Sequence, residues 1–226
     1  KKVIGIAVMP IFIDKCDISG VVSAINEAVE QDIFVVTVYN DIEESKRQIF
    51  FGTDFAKMGR VGAEYLCKLV GGEGKIAVFS GYKNNPMHTV KVLNFAQKVS
   101  KSFPDINLPG IYYNNYDAET AYHTCKDVLQ SNPDMKGIAV SCGGIAGIIK
   151  ALKEFDGDRK IRVLLFDITA KAKEMLKNGE VDAVIGTDVY EQGYHSINVL
   201  YDLVLNRMDD RQKILSRIDI ILKESL

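Results

Sequence analysis

Residues 75–84 read Lys75-Ile76-Ala77-Val78-Phe79-Ser80-Gly81-Tyr82-Lys83-Asn84, a short apolar segment followed at once by a polar cluster. An apolar run of this length, bounded by turn-forming residues, is typical of a buried β-strand. The same pattern recurs along the chain without sequence identity between its copies. It predicts further buried strands at 3–9, 33–39, 137–141, 161–166 and 183–186.

Helical patterns lie between these strands. Residues 17–31 carry apolar side chains at helical spacing, and comparable segments predict helices at 54–70, 86–102, 118–130, 143–155, 170–177 and 189–207. Shorter strands are predicted at 49–51, 108–113 and 217–222, and residues 208–213 are interpreted as a charged linker. Strands that alternate with helices indicate an α/β fold with parallel sheets, whose ligands bind at the carboxyl ends of the strands.

Composition excludes several classes of protein. The net charge of −2 provides no broad basic surface for nucleic acid. No apolar run is long enough to span a membrane. Residues 1–9 lack the cleavage site of a signal peptide, so these residues are interpreted as a strand. The four cysteines form no C-x-x-C pair, and free thiols favour a reducing compartment.

No motif of an enzyme is present. His88, His123 and His195 are far apart and lack metal-binding spacing, and there is no nucleophile elbow, phosphate-binding P-loop or dinucleotide fingerprint. The glycine-rich segment 71–74 precedes a strand, so it is interpreted as a helix stop and turn. The sequence therefore predicts a protein that is not an enzyme and has no cofactor and no metal.

Six segments carry a family resemblance, and they occur in one order along the whole chain: 33–38, 51–60, 72–78, 166–169, 178–183 and 190–194. With them the sequence resembles the type I periplasmic-binding-protein fold, which bacterial sugar-binding proteins share with the effector domain of LacI-family transcription regulators. The resemblance implies two lobes with parallel sheets, hinged around a ligand in the cleft between them.

The resemblance also implies a division of the chain. Lobe 1 would comprise residues 1–53 and 188–213, and lobe 2 residues 54–187 and 214–226. Family members begin with two further strand–helix units before the segment that resembles residues 3–9. The first lobe is therefore expected to be incomplete at its N-terminus, which makes the sequence a fragment, or the ordered part, of a longer protein.

Sugar binding requires carboxylates, amides and cations at fixed positions, with aromatic rings against the C–H face of the sugar. In the family, the pair that matches Phe166 and Asp167 contacts the ligand. Asp167 ends an apolar strand beside a flat ring, although it could instead cap the following helix, for which Thr169 is better placed.

Loops after other strands add further candidates. Tyr82 follows the strand at 75–80, and His88 shares a helical face with Lys91, which aligns with a cationic ligand-binding position of relatives. The alternatives are a structural histidine and a solvated helix face. Tyr116 stands where relatives place a ring over the sugar, and Cys142 stands within the segment where they commonly have Asn-Asp.

Two candidates belong to the expected first lobe. Asn40 follows the strand at 33–39, where family members often have Asp, and a turn is an equally physical interpretation. Asp188 follows the strand at 183–186 and either contacts the ligand or caps the next helix.

Two functions fit these features. The first is the sugar-binding effector domain of a cytoplasmic LacI-type regulator, acting as a homodimer and contacting DNA only through an N-terminal headpiece that this sequence lacks. The alternative is an extracytoplasmic, periplasmic or lipid-anchored sugar-binding protein that delivers its ligand to an ABC permease. The free cysteines favour the regulator, and the segment 72–75 favours the transport protein.

Overall fold

The computed structural model describes residues 2–10, 18–155, 160–209 and 212–226. They form two compact units: unit 1 comprises residues 1–54 and 187–218, and unit 2 comprises residues 55–186 and 219–226. None of the helices in these described ranges combines the length and apolarity that crossing a membrane requires. Cys16 and Asp17, the first residue of a predicted helix, lie outside the described residues.

Unit 1 contains a four-stranded parallel sheet in the order β1-β2-β3-β10. Its strands are β1 Gly5–Val8, β2 Phe34–Tyr39, β3 Ile49–Gly52 and β10 Gln212–Leu215, and its helices are α1 Ile18–Glu30 and α7 Val189–Val204. Side chains alternate between the faces of a strand. Val35 therefore packs with α1, whereas Val36 and Val38 pack with α7.

Unit 2 contains a seven-stranded sheet in the order β11-β9-β8-β7-β4-β5, with β6 also paired to β4. Its strands are β4 Gly74–Ser80, β5 Ile106–Asn107, β6 Ile111–Tyr113, β7 Met135–Val140, β8 Arg162–Phe166, β9 Ala183–Gly186 and β11 Asp219–Ile221. Its helices are α2 Phe55–Leu69, α3 Pro86–Ser102, α4 Ala118–Ser131, α5 Ile145–Phe155 and α6 Ala170–Lys177, and a short 3-10 helix spans Lys223–Ser225.

Helices pack on this sheet through its apolar side chains. Phe79 and Val140 belong to one core with the buried residues of α4, α5 and α6. The helices α2 and α3 pack closely against each other at Gly59. A Cβ atom added there would lie only 2.1 Å from the carbonyl oxygen of Lys91. Residue 59 must therefore be glycine for α3 to hold its present position.

The predicted α/β fold with largely parallel sheets is confirmed, and the helices 86–102 and 170–177 have the predicted bounds. One strand departs from the expectation, because β11 pairs antiparallel with β9, with Asp219 opposite Gly186. The chain between these two strands includes α7 and β10 of unit 1, and it returns to unit 2 at Asp219.

The interpretation of residues 208–213 as a charged linker was wrong at its end. Gln212 and Lys213 lie in β10, which pairs with β3 and brings Ile214 opposite Phe51. Lys213 is exposed on this edge strand, where a charged residue protects against unwanted pairing. The lobe boundary predicted between residues 213 and 214 therefore falls inside a strand.

The strand predicted at 108–113 is shorter and spans Ile111–Tyr113.

Candidate functional site

The candidate site of unit 2 lies where neighbouring parallel strands end. The strands β4, β7 and β8 are adjacent in the sheet, and their carboxyl ends lead into loops that begin at Gly81, Ser141 and Asp167. Parallel strands present these ends at one edge of the sheet, which is the usual ligand-binding edge of an α/β fold. The local sequence therefore brings three of the predicted polar loops together.

An ion pair lies at this edge. The Nζ atom of Lys91 lies 3.1 Å from Oδ2 and 3.4 Å from Oδ1 of Asp167. The Lys91 side chain is only 2% exposed, whereas that of Asp167 is 32% exposed. The Lys91 ammonium also lies 5.1 Å from the centre of the Phe166 ring and 5.7 Å from that of Phe55, within cation–π range. The structure thus excludes the alternative of a solvated helix face for Lys91.

A second cluster surrounds His88, which is buried on the same face of α3 as Lys91. Its Nε2 atom shares a hydrogen bond of 2.8 Å with the Tyr116 hydroxyl, and its Nδ1 atom lies 3.5 Å from Oγ of Ser141. The ring of Tyr82 meets that of Tyr116 edge-on, with centroids 5.2 Å apart. The structure therefore brings three of the predicted residues, Tyr82, His88 and Tyr116, together.

Asn114 holds the Tyr116 loop in place. It is fully buried; its Nδ2 atom donates to the carbonyl oxygen of Gly143, and its Oδ1 atom accepts from the backbone N–H of Tyr116. Asn115 and Tyr116 both have positive φ angles, 51° and 62°, which cost free energy in non-glycine residues. The side chain of Asn114 thus offsets the strain that directs the tyrosine ring toward His88.

Electrostatics keeps the titratable groups of this cluster uncharged at neutral pH. Burial, followed by the nearby Lys91 charge, lowers the pKa of His88 to about 4. Burial also raises the pKa of Tyr116, and it raises the pKa of the Cys142 thiol to about 12. The site therefore combines one ion pair with neutral donors and acceptors.

These groups line a pocket of about 360 Å³ in unit 2. Its wall includes five of the predicted residues: His88, Tyr116, Cys142, Phe166 and Asp167. A volume of this order is enough for a small ligand. The pocket thus offers hydrogen-bonding atoms and aromatic faces to one occupant.

The two candidates of unit 1 have other local surroundings. Asn40 is buried at the end of β2 and donates through Nδ2 to the carbonyl oxygen of Pro10, while its Oδ1 atom has no hydrogen-bond partner within the described part of the chain. Oδ1 of Asp188 accepts from the backbone N–H groups of Tyr190 and Glu191, which makes Asp188 the cap of α7. Thr169 caps α6, so Asp167 is not needed for that role.

Sequence reasoning missed two residues of this site. Asn85 caps α3 by accepting from the N–H groups of Met87 and His88, a role that the Asn-Pro pair before the helix could have indicated. Asn114 carried no such signal, because its partner Gly143 is 29 residues away. Among the described residues, no three His, Cys, Asp or Glu side chains are placed to hold a metal ion.

The chain is similar in sequence to known proteins. A family model described as a periplasmic binding protein domain matches residues 2–207. The D-ribose/D-allose-binding protein of Pseudomonas aeruginosa is 20% identical over 204 residues, which cover 87% of this chain. The chain spans only 63% of the length of that curated relative.

Two solved structures illustrate the shared fold. The sugar-binding protein of a sugar ABC transporter from Bacillus halodurans superposes with a TM-score of 0.85 at 22% identity, covering 92% of this chain and 75% of the other. An ABC transporter solute-binding protein from Burkholderia graminis, in complex with D-arabinose, gives a TM-score of 0.84 at 22% identity, covering 97% and 75%. At this identity the likeness establishes the fold.

Proposed function

This chain belongs to the family of periplasmic binding protein domains, and from that premise we propose that it binds a monosaccharide reversibly and without altering it. The observation that carries the proposal is the pocket of unit 2. In this pocket the carboxylate of Asp167 is partly exposed and is held in place by the ion pair with Lys91. Neutral hydrogen-bonding groups and aromatic rings form the wall beside it. A neutral polyol fits such a wall, since its hydroxyls both donate and accept, and its C–H face packs on a ring.

We further propose that the protein acts outside the cytoplasm and delivers its sugar to an ABC transporter. The similar proteins support this alternative over a LacI-type regulator, because they are sugar-binding proteins or components of ABC transporters. The homodimer, the DNA contact and the cytoplasmic location belonged to the regulator hypothesis, and no comparison favours it.

The free thiols that favoured a cytoplasmic regulator carry less weight in the structure. Cys67 and Cys125 are buried, and burial raises the pKa of each thiol to about 12. Buried thiols with raised pKa values are inert, because the thiolate is the reactive species. They would persist in either compartment and do not discriminate between the two functions.

Calorimetric titration with D-ribose, D-allose, D-arabinose and other monosaccharides tests sugar binding. We expect one sugar to bind with a measurable heat, and the variant Asp167→Asn to weaken that binding. Asp134→Asn is the matched control, because Asp134 forms an exposed ion pair with Lys75 and does not line the pocket. Absence of binding to every monosaccharide, with thermal unfolding intact, would contradict the proposal.

Transport and regulation are separated by a second experiment. The full-length protein is tested for binding to promoter DNA from its own gene cluster and for sugar uptake in a strain that lacks the gene. For a transport protein we expect a loss of uptake and no sugar-dependent gel shift. A sugar-dependent gel shift with normal uptake would favour the regulator.

A further inference from the structure

The pocket of unit 2 reaches both faces of the sheet. Leu165 and Phe166 are neighbours in β8, and successive side chains of a strand point to opposite faces. Phe166 packs edge-on with Phe95 of α3, with ring centroids 6.4 Å apart, whereas Leu165 belongs to the core that contains the buried residues of α4, α5 and α6. Both side chains line the pocket. The pocket therefore has one wall on the α3 side of the sheet and another on the side of α5 and α6.

The hydrogen-bonding groups belong to the α3 side. His88 lies on α3, and the hydroxyl of Tyr116 is hydrogen-bonded to it. The carboxylate of Asp167 is held by Lys91, which also lies on α3, and it remains partly exposed. Hydroxyl groups of a ligand therefore find hydrogen-bond partners on this side of the pocket.

The opposite side of the pocket is apolar. Five of the lining side chains belong to the core of α4, α5 and α6 or pack against it, and we call them the apolar wall; they are Val140, Cys142, Ile145, Leu165 and Ala172. Val140 and Leu165 are paired across β7 and β8, so they lie side by side in this wall. Ile145 is the first residue of α5 and is partly exposed. Apolar atoms of a ligand can thus be buried against Ile145 and its neighbours.

The polar groups next to the apolar wall are already engaged in hydrogen bonds. The Cys142 thiol donates to Oδ1 of Asn114, and Oγ1 of Thr169 accepts from a backbone N–H group of α6. The ammonium group of Lys171 donates to the carboxylate of Glu174. A ligand hydroxyl buried against the apolar wall would therefore lack a good partner among these side chains, and an unpaired buried hydroxyl lowers affinity.

We propose that the sugar bound by this pocket is a deoxyhexose, in which a methyl group replaces the hydroxymethyl group of an ordinary hexose. Its methyl group packs on the apolar wall, and its hydroxyls bind on the side of Asp167 and Tyr116. This inference rests on the proposed function, because it names the class of sugar that the same pocket binds. A pentose would leave the apolar wall unfilled, and a hexose would place a hydroxyl against it.

Calorimetric titration of the full-length protein with matched series of sugars tests this inference. Each series keeps one ring configuration and changes only the group on the last ring carbon, from hydrogen to methyl to hydroxymethyl. The series are L-arabinose, D-fucose and D-galactose; D-arabinose, L-fucose and L-galactose; L-lyxose, L-rhamnose and L-mannose; and D-ribose, 6-deoxy-D-allose and D-allose. In the series that binds most tightly, the deoxyhexose should bind at least about fourfold more tightly than the pentose and at least about tenfold more tightly than the hexose.

The outcomes separate this inference from the proposed function. A pentose or a hexose that binds as tightly as the deoxyhexose of its series would overturn the inference and leave sugar binding itself established. Absence of binding by every sugar, with thermal unfolding intact, would instead contradict the proposed function, and the inference with it.

The variant Ile145→Thr tests the contact between the methyl group and the apolar wall. Threonine adds a hydroxyl at this wall, so the preference for the deoxyhexose over the hexose should fall at least about threefold. Ile221→Thr is the matched control and should leave the preference unchanged, because Ile221 is also partly buried against the same core but does not line the pocket. If Ile145→Thr does not fold, Cys142→Ser adds a hydroxyl at the same wall and takes its place. An unchanged preference in the folded wall variant would overturn the inference.

Discussion

Lys91 and Asp167 form an ion pair across 76 residues of sequence, and the two ends of the pair differ in their access to solvent. The ammonium group is enclosed by the protein, whereas the carboxylate opens into the pocket of unit 2. A ligand can therefore reach Asp167 but not Lys91. The cation thus holds the Asp167 carboxylate in place at the edge of the pocket.

Asp167→Ala should weaken sugar binding about tenfold or more, which corresponds to at least about 1.4 kcal/mol. The variant removes a charged acceptor, and hydrogen bonds to charged groups are stronger than neutral ones. It also leaves the Lys91 ammonium buried and unpaired, so the free energy of unfolding should fall as well. Calorimetric titration and urea unfolding measure the two effects, and an unchanged affinity would remove Asp167 from the site.

The double variant Lys91→Met/Asp167→Asn separates binding from stability. With no buried charge left, its free energy of unfolding should exceed that of Asp167→Ala, because an apolar side chain can replace a buried ion-pair partner without a desolvation penalty. Its sugar affinity should nevertheless remain low. If the double variant regained the affinity of the parent protein, the charged carboxylate would not be the binding group.

Sequence patterns predicted those features that depend on neighbouring residues. The helix 86–102 has the predicted bounds because Pro86 suits a first helical turn. The residues predicted at the ends of β7 and β8, Cys142 and Asp167, meet in one pocket, because parallel strands present their carboxyl ends together. The resemblance to a known fold supplied Lys91 and Tyr116, which periodicity alone would not have selected.

Features that depend on distant contacts could not be predicted. The pairing of β10 with β3 makes a strand of residues that look like a polar linker, since edge strands tolerate charged side chains. The role of Asn114 depends on the carbonyl oxygen of Gly143, and no local pattern connects these two positions. The ion-pair partner of Lys91 was likewise set by the sheet order and not by any spacing in the sequence.

Asn114→Ala should weaken sugar binding more than Tyr116→Phe does, although Asn114 does not line the pocket. Without its hydrogen bonds to the backbone of Gly143 and Tyr116, nothing offsets the positive φ angles of Asn115 and Tyr116, and the tyrosine ring loses its fixed position. A double-mutant cycle on ligand affinity measures this coupling, which we expect to be about 0.5 kcal/mol or more.

Asn132→Ala provides the control for that experiment. Asn132 is also buried and donates to a backbone carbonyl oxygen, that of Val128, but it does not line the pocket. It should lower the free energy of unfolding by about 1–3 kcal/mol while leaving sugar affinity unchanged. If both asparagine variants lowered affinity equally, the effect of Asn114 would be one of general stability.

His88 should make the protein less stable as the pH falls from about 6.5 toward 4. Burial and the Lys91 charge lower its pKa in the folded protein to about 4, so between these pH values the unfolded chain binds one proton more than the folded chain. The resulting loss is about 2 kcal/mol at pH 5, relative to pH 7. Urea unfolding at pH 5 and pH 7 measures the loss of unfolding free energy. The loss should be smaller by about 2 kcal/mol in His88→Gln, and it should be unchanged in His123→Gln, which replaces an exposed histidine. A pH dependence identical in the parent protein and His88→Gln would mean that folding does not lower the pKa of His88, and the prediction would be wrong.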